Sequence, residues 1–339
     1  MATASDPLSR LLAEKGVLLA DGATGTNLFA MGLEAGEAPE LWNESHPERI
    51  VKLHQDFVDA GADIILTNSF GGTRHRLKLH KADDRVFDLN RKAAEIARSV
   101  ADKAPRKVIV AGSVGPTGEL LQPLGALTYE DAVAAFVEQM EGLKAGGVDI
   151  AWIETMSSPE EIRAAAEAAV KVGLPYTYTG SFDTAGKTMM GLAPKDIHGV
   201  AKDIGDGPVA VGANCGVGAS DILASLLDMT SADPAATVIV KGNCGIPEYR
   251  GAEIHYSGTP PLMAEYAKLA RDAGAKIIGG CCGTSCGHLA AMRQALDNYT
   301  PGPRPTIETI VEHIGPLRNK TAEESSGDAG RERRGRRRG

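Results

Sequence analysis

The chain has 339 residues, of which 43% are hydrophobic, and its formal net charge at pH 7 is −8. This length allows either one large α/β barrel or two ordinary domains, each with a sizeable core. The sequence contains no secretory leader and no run of eighteen apolar residues, so we expect a cytoplasmic protein without a membrane partner.

A dense run of positive charge ends the chain, because 331–339 (RERRGRRRG) contains six arginines. The rest of the chain is therefore more acidic than the net charge indicates, which makes nucleic acid a poor partner. The segment 319–339 has almost no apolar side chains and predicts a disordered Arg-rich tail. We accordingly divide the chain into a folded unit over 1–318 and a tail over 319–339.

Apolar, β-branched runs bounded by glycine and polar residues predict eight strands. The runs are 17–23, 63–69, 107–115, 149–156, 176–182, 209–216, 237–243 and 275–282. Amphipathic helical patterns lie between them. These patterns are 47–62, 86–102, 129–147, 158–173, 193–205, 219–230 and 260–275.

Strands that alternate with helices predict parallel pairing, and eight such units favour an α/β fold of the (β/α)8 TIM barrel type. An open doubly wound sheet is the alternative. A barrel places its chemistry at the C-terminal ends of the strands. Polar, small and sulfur-bearing residues do follow the predicted strands, so we expect the functional site at that end.

The five cysteines form an odd set confined to the C-terminal half, which argues against a disulfide framework and favours reduced thiols. Cys215 ends the sixth predicted strand, and Cys281 and Cys282 end the eighth. Neighbouring residues of a strand point to opposite faces, so both cysteines can face the interior only if the flanking glycines bend the chain. Alternate strands share an interior layer, so the three thiols can converge.

Three thiolates and one open coordination position suit a catalytic Zn²⁺ site. A buried, inert cysteine pair is the alternative. Cys244 ends the seventh predicted strand, and we expect it to lie near the metal without binding it, because a fourth ligand would close the site. Cys286 is expected to have a structural role, and none of the histidines predicts a metal ligand.

Seven segments resemble the homocysteine S-methyltransferase family, over about residues 10–300. They are DGATGTNL (21–28), EAGEAPELWN (34–43), DAGADIILTNSF (59–70), VAGSVGPTG (110–118), GGVDIAWIETM (146–156), GANCG (212–216) and GGCCGTS (279–285). The resemblance implies a (β/α)8 barrel with zinc held by Cys215, Cys281 and Cys282, and homocysteine as the methyl acceptor. A homocysteine thiol at the open zinc position would lose its proton and become nucleophilic.

The resemblance also implies roles in amino-acid binding. Glu154, the expected catalytic carboxylate, and Asp21 are placed for the homocysteine ammonium, and backbone N–H groups around Gly22 and Thr67 for its carboxylate. From the residues alone, the alternatives are a turn residue before Gly22 for Asp21 and the partner of a nearby Lys or Arg for Glu154. Asn214 and Asn243 either orient ligands and substrate or satisfy loop backbone.

The methyl donor follows less directly from the resemblance. Bacterial enzymes of the betaine type are the nearest in pattern, so glycine betaine is the first expected donor. Trp42 is similar to a donor-site tryptophan of those enzymes, and Phe70 is a further expected substrate contact. Animal betaine enzymes carry tyrosines where this chain has Gly71 and Met156, so S-methylmethionine and dimethylsulfoniopropionate remain alternatives.

Two functions of other classes use the same cysteines: a non-catalytic thiol or metal-binding protein, and a barrel with thiol-based redox activity. The segment 301–318 packs either on the barrel or on a second subunit, so a homo-oligomer also remains open.

Overall fold

A computed structural model of the chain describes residues 6–245, 247–250 and 253–319. The predicted tail, apart from its first residue, lies outside the described residues. None of the helices in the described part has the length and apolarity needed to span a bilayer.

The described residues form a barrel sheet and one separate hairpin. The strands are β1 (Leu18–Leu19), β2 (Ile64–Leu66), β3 (Ile109–Val114), β4 (Ile150–Met156), β5 (Tyr176–Gly180), β6 (Ala210–Cys215), β7 (Val238–Gly242), β8 (Pro247–Arg250), β9 (Glu253–Tyr256) and β10 (Ile277–Gly280).

Eight of these strands form one parallel sheet in the order β1-β10-β7-β6-β5-β4-β3-β2. A parallel bridge between Ala20 and Ile64 joins the two ends of this order. The sheet therefore closes, which confirms the predicted (β/α)8 barrel and excludes the open sheet. The antiparallel hairpin of β8 and β9, which leads from β7 towards the next helix, was not predicted.

Helices follow the strands around the barrel. They are α1 (Pro7–Lys15), α2 (Gly25–Ala30), α3 (Trp42–Ser45), α4 (Pro47–Asp59), α5 (Arg74–Lys78), α6 (Val86–Ala101), α7 (Tyr129–Ala145), α8 (Pro159–Val172), α9 (Ala219–Ala232), α10 (Pro260–Asp272), α11 (Cys286–Leu296) and α12 (Ile307–Ile314). Short 3₁₀ helices cover Pro39–Leu41 and Pro194–Gly199.

The helix predicted over 193–205 is only the six-residue 3₁₀ turn Pro194–Gly199. Tyrosines of β5 account for the difference, because their hydroxyls bond the backbone groups that a longer helix would use. Tyr178 Oη donates to the carbonyl of Ile197, and Tyr176 Oη donates to those of Ala201 and Ile204. Nothing in the local sequence predicts these long-range bonds.

Alternate residues of the strands pack on the two sides of the sheet, as the period of a strand requires. Leu18 and Ala20 face the barrel interior, whereas Leu19 packs against the surrounding helices. Leu8 and Leu11 of α1 join the interior cluster and are almost fully buried. Helix α1 therefore covers the barrel interior at its N-terminal end.

The seam between β1 and β2 has little backbone pairing, because β1 has only two residues and a single bridge joins this strand region to β2. The side chain of Asp63 reinforces it at the closed end. Its Oδ2 accepts from the Leu19 N–H at 2.9 Å, and its carboxylate pairs with Lys15 and Arg293. One buried carboxylate thus ties α1, β1 and α11 to the start of β2.

The segment 301–318 packs on the barrel. Helix α12 contacts α9 and α10, and Ile310 is fully buried. Beyond the helix, the Ser220 hydroxyl donates to the Gly315 carbonyl at 2.7 Å, and Asp221 accepts from the Arg318 N–H. The division between a folded unit and a tail stays a prediction.

We expect Asp63→Asn to lower the free energy of unfolding by about 2–3 kcal/mol, since both ion pairs lose their anion while a buried backbone bond weakens. Urea denaturation monitored by circular dichroism measures this change. Asp59→Asn, an exposed control at the end of α4, should stay within about 0.5 kcal/mol of the parent. Equal effects at the two sites would contradict the role of Asp63.

Candidate active site

A cavity of about 440 Å³ opens at the C-terminal ends of the barrel strands. It is the end that the polar strand termini predict. Seven of the residues predicted from the sequence line it: Gly22, Thr67, Phe70, Glu154, Cys215, Cys281 and Cys282.

Three thiols converge at the floor of this cavity. The Sγ atoms of Cys215, Cys281 and Cys282 all lie within 4.8 Å of one another, and those of Cys215 and Cys282 are 3.9 Å apart. Three sulfurs bound tetrahedrally at about 2.3 Å from one metal ion would be about 3.8 Å apart. The cluster therefore fits a metal ion that prefers thiolate ligands.

A turn presents the two adjacent cysteines on one side. Strand β10 ends at Gly280, and the Thr284 N–H bonds back to the Cys281 carbonyl at 3.1 Å. Gly283 adopts φ +80°, and a Cβ there would lie 2.3 Å from Cγ of Tyr256. Only glycine satisfies both demands. The bend that the sequence required is present in this turn.

Asn214 fixes two strained residues at the ends of β4 and β6. Thr155 and Cys215 both have positive φ, 63° and 61°, which is rare for residues with a side chain. The Asn214 amide accepts from the Thr155 N–H at 2.8 Å and donates to its hydroxyl at 2.7 Å. It also donates to the sulfur of Cys281 at 3.8 Å. Asn214 therefore orients the thiol cluster.

Asn243 has a similar role between β6, β7 and β10. Its Oδ1 accepts from the Cys282 N–H at 3.1 Å and its Nδ2 donates to the Gly216 carbonyl at 2.8 Å. The neighbouring Cys244 holds the same turn through its backbone, because its N–H donates to the Cys282 carbonyl. Within the described residues the thiol cluster includes neither Cys244, which is buried, nor Cys286, which is exposed.

The three thiols lie close enough to hydrogen-bond one another. Hydrogen bonds from Cys215 and Cys281 lower the pKa of Cys282, and the Tyr256 hydroxyl donates to the same sulfur. The corresponding bonds to Cys281 and Cys282 raise the pKa of Cys215. Tyr256, at the end of the hairpin, was not predicted, and no local signal marks it.

A buried ion pair lies beside the cluster. Lys241 Nζ is 2.7 Å from Asp21 Oδ1, and the two side chains are only 3% and 1% exposed. Asp21 Oδ2 accepts from the Leu66 N–H at 2.7 Å, so this carboxylate closes the β1–β2 seam at the open end. Lys241 was missed, although a lysine in the apolar run TVIVKGN is a visible signal.

Glu154 completes this charged group. Burial raises the pKa of Glu154 to about 7, although Lys241 attracts the ionised form and Ser113 donates to Oε1 at 2.5 Å. Burial alone would lower the pKa of Lys241, but the carboxylates of Asp21 and Glu154 outweigh it and raise this pKa above its ordinary value. Lys241 and Glu154 attract each other without a hydrogen bond between them, so both readings of Glu154 stay predictions.

Two predicted binding residues are placed differently from the expectation. The Thr67 N–H donates to the Ala111 carbonyl at 2.9 Å, so it is already used between β2 and β3. Trp42 is 3% exposed and does not line the cavity. The guanidinium carbon of Arg49 lies 4.7 Å from its ring centroid and covers one face. The structure does not bring Trp42 to the site.

The comparisons with known proteins agree with this fold and site. The family model described as homocysteine S-methyltransferase matches residues 18–296. Methionine synthase of Mycobacterium tuberculosis is 30% identical over 302 residues, which are 83% of this chain, and the Mycobacterium leprae methionine synthase is 28% identical over 311 residues. The chain spans about a quarter of the length of these curated relatives.

A solved structure of the homocysteine methyltransferase MmuM from Escherichia coli, in its metallated form, superimposes with a TM-score of 0.72. It is 26% identical, and the match covers 85% of this chain and 99% of that chain. The strand ends of this barrel gather three cysteines that could hold a metal ion, next to a buried charged group. The chain belongs to the homocysteine S-methyltransferase family.

We expect the chain to bind one divalent metal ion through its three clustered thiolates. Titration with Co²⁺ should give thiolate-to-metal charge-transfer absorption at a ratio of about one. Cys215→Ala and Cys282→Ala should each lose most of it, because two sulfurs hold the ion poorly. Cys286→Ser, which alters an exposed thiol outside the cluster, is the matched control. Equal absorption in all four proteins would contradict the site.

Proposed function

We propose that this protein is a zinc-dependent methyltransferase that transfers a methyl group from a small cationic donor to the thiol of homocysteine and forms methionine. The observation that carries the proposal is the three-thiol cluster in the same cavity as Glu154 and Lys241, the buried partner of Asp21. Family membership and similarity to a methionine synthase and to a homocysteine methyltransferase support it.

Cys215, Cys281 and Cys282 would hold the zinc. When bound, zinc on three thiolates favours the ionised, nucleophilic form of an acceptor thiol. Glu154 offers a buried carboxylate for the substrate ammonium, and Gly22 lines the same wall with a backbone N–H that has no acceptor among the described residues. A Cβ at Gly22 would lie 2.5 Å from the Thr284 carbonyl oxygen, so only glycine allows these two backbone segments to pack this closely.

The outer part of the cavity supports a cationic donor. Phe29 and Phe70 present partly exposed rings there, and aromatic faces attract quaternary ammonium and sulfonium groups. Glu40, 5% exposed, lies in the same wall and accepts from the Gly71 N–H at 2.6 Å. Arg76 is exposed on the rim and supplies a charge for a donor carboxylate. We therefore favour glycine betaine, with S-methylmethionine and dimethylsulfoniopropionate as alternatives.

Methyl transfer between a cationic donor and a thiolate cancels charge, so alignment of the two substrates decides the rate. Residues at the floor of the cavity hold the acceptor thiol, and those of the outer wall hold the donor. No residue has to supply or remove a proton during the displacement itself.

The zinc-loaded chain should form methionine from homocysteine with at least one donor of a panel, measured by mass spectrometry. The panel contains glycine betaine, S-methylmethionine, dimethylsulfoniopropionate and methyltetrahydrofolate. Arg76→Met should lower kcat/KM by about tenfold for donors that carry a carboxylate near the cation. Lys78→Met, on the same helix but outside the cavity wall, should not. Methionine formation would exclude a purely metal-binding role, and absence of product with every donor would overturn the proposal.

The affinity for homocysteine should depend on the ionisation of Glu154. Because its pKa is raised to about 7, the carboxylate is neutral below that pH and pairs with the ammonium only above it. The ratio of wild-type to Glu154→Gln affinity should therefore rise between about pH 6 and pH 8, to about 10- to 100-fold. Calorimetry on the zinc-loaded proteins measures the ratio.

Ser113→Ala is the control for this pH dependence. The Ser113 hydroxyl bond favours the ionised carboxylate, so its loss should move the inflection to higher pH and leave the affinity at high pH almost unchanged. A ratio that stays close to one from pH 6 to pH 8 would show that Glu154 does not bind the ammonium.

A further inference from the structure

The strongest feature that the proposed function leaves unused is Lys241. It lies on β7, two residues after Ile239, so both side chains face the barrel interior. Its side chain is 3% exposed and lines the cavity with Glu154 and Cys281. A buried ammonium is costly unless its hydrogen bonds are satisfied.

The ammonium is only partly satisfied by the protein. One N–H bonds Asp21 Oδ1 at 2.7 Å, and the structure gives the other two N–H groups no acceptor among the described residues. Glu154 attracts Lys241 electrostatically but forms no hydrogen bond with it, and its Oε1 accepts from Ser113. Two donors of a buried cation therefore remain for a ligand in the cavity.

The acceptor carboxylate needs such donors. The backbone N–H of Thr67, one of the groups expected to bind it, already donates to Ala111. Asp21 is engaged at both oxygens, by Lys241 and by the Leu66 N–H, which leaves Glu154 as the less committed carboxylate for the substrate ammonium. Each of the two charged groups on the α-carbon of a zwitterionic amino acid would then meet a side chain of opposite charge.

We propose that Lys241 binds the α-carboxylate of the acceptor amino acid and so selects a thiol that carries this group. This inference rests on the proposed function and adds a specificity-determining residue to it. Lys241 acts in binding, and the transfer of the methyl group involves other atoms.

Truncated acceptors test this role by direct binding to the zinc-loaded full chain, without a methyl donor. The ligands are homocysteine, 3-aminopropane-1-thiol, which lacks the carboxylate, and 4-sulfanylbutanoate, which lacks the ammonium. Lys241→Met should weaken binding of the two carboxylates by about 10- to 100-fold and change that of 3-aminopropane-1-thiol by less than about twofold. Calorimetry gives the affinities, and elemental analysis checks that zinc content is unchanged.

Two further variants exclude a merely structural effect. Asp21→Asn/Lys241→Met removes both charges of the buried pair and should show the same preference among the three ligands as Lys241→Met. Lys241→Arg keeps a cation and should recover part of the affinity for the two carboxylates. An equal loss for all three ligands, or no loss for homocysteine, would overturn the assignment, as would a parent protein that binds no homocysteine.

The proposed function can fail separately. If the parent chain binds homocysteine with the stated dependence on Lys241 but no donor yields methionine, the carboxylate assignment stands and the methyl transfer does not.

Discussion

The carboxylate of Asp21 joins three strands of the barrel, and both the fold and the cavity depend on it. It follows the two-residue strand β1, accepts from the Leu66 N–H at the end of β2, and pairs with Lys241 on β7. Backbone pairing alone is sparse at this seam, so side chains complete the closure. Buried ion pairs add little net stability compared with apolar packing. Lys241 of this pair also lines the cavity, which is the basis of the role in ligand binding proposed for it.

Side-chain hydrogen bonds also hold the backbone around the thiol cluster. Asn214 and Asn243 hold the turns that carry the cysteines, while Thr155 and Cys215 keep a left-handed backbone that costs about 1–3 kcal/mol each. This strain is sustained because the amide of Asn214 and the surrounding barrel fix both residues. The three sulfurs lie within 4.8 Å of one another, a spacing that suits a single metal ion.

Periodicity was sufficient to predict the barrel. Alternation of apolar runs with amphipathic helices fixed the number and order of the strands, and the rule that chemistry lies at strand ends placed Cys215, Cys281 and Cys282 together. What the sequence did not contain were contacts between distant segments. Tyr178 shortens the helix after β5, Arg49 covers Trp42, and Tyr256 reaches Cys282 from a hairpin that no apolar pattern marks. Lys241 could have been predicted, since a lysine within an apolar strand is a local signal that a group of opposite charge lies nearby.

The arrangement of the three sulfurs also bears on how the protein is made. Cys215 and Cys282 are 67 residues apart, and the second of them follows β10, the last strand of the barrel to leave a ribosome. A nascent chain that has emerged only as far as β7 has one of the three ligands in place and the cylinder still open. A metal ion held by all three cysteines would therefore bind only after β10 has emerged, and it would link two segments that a long stretch of chain separates.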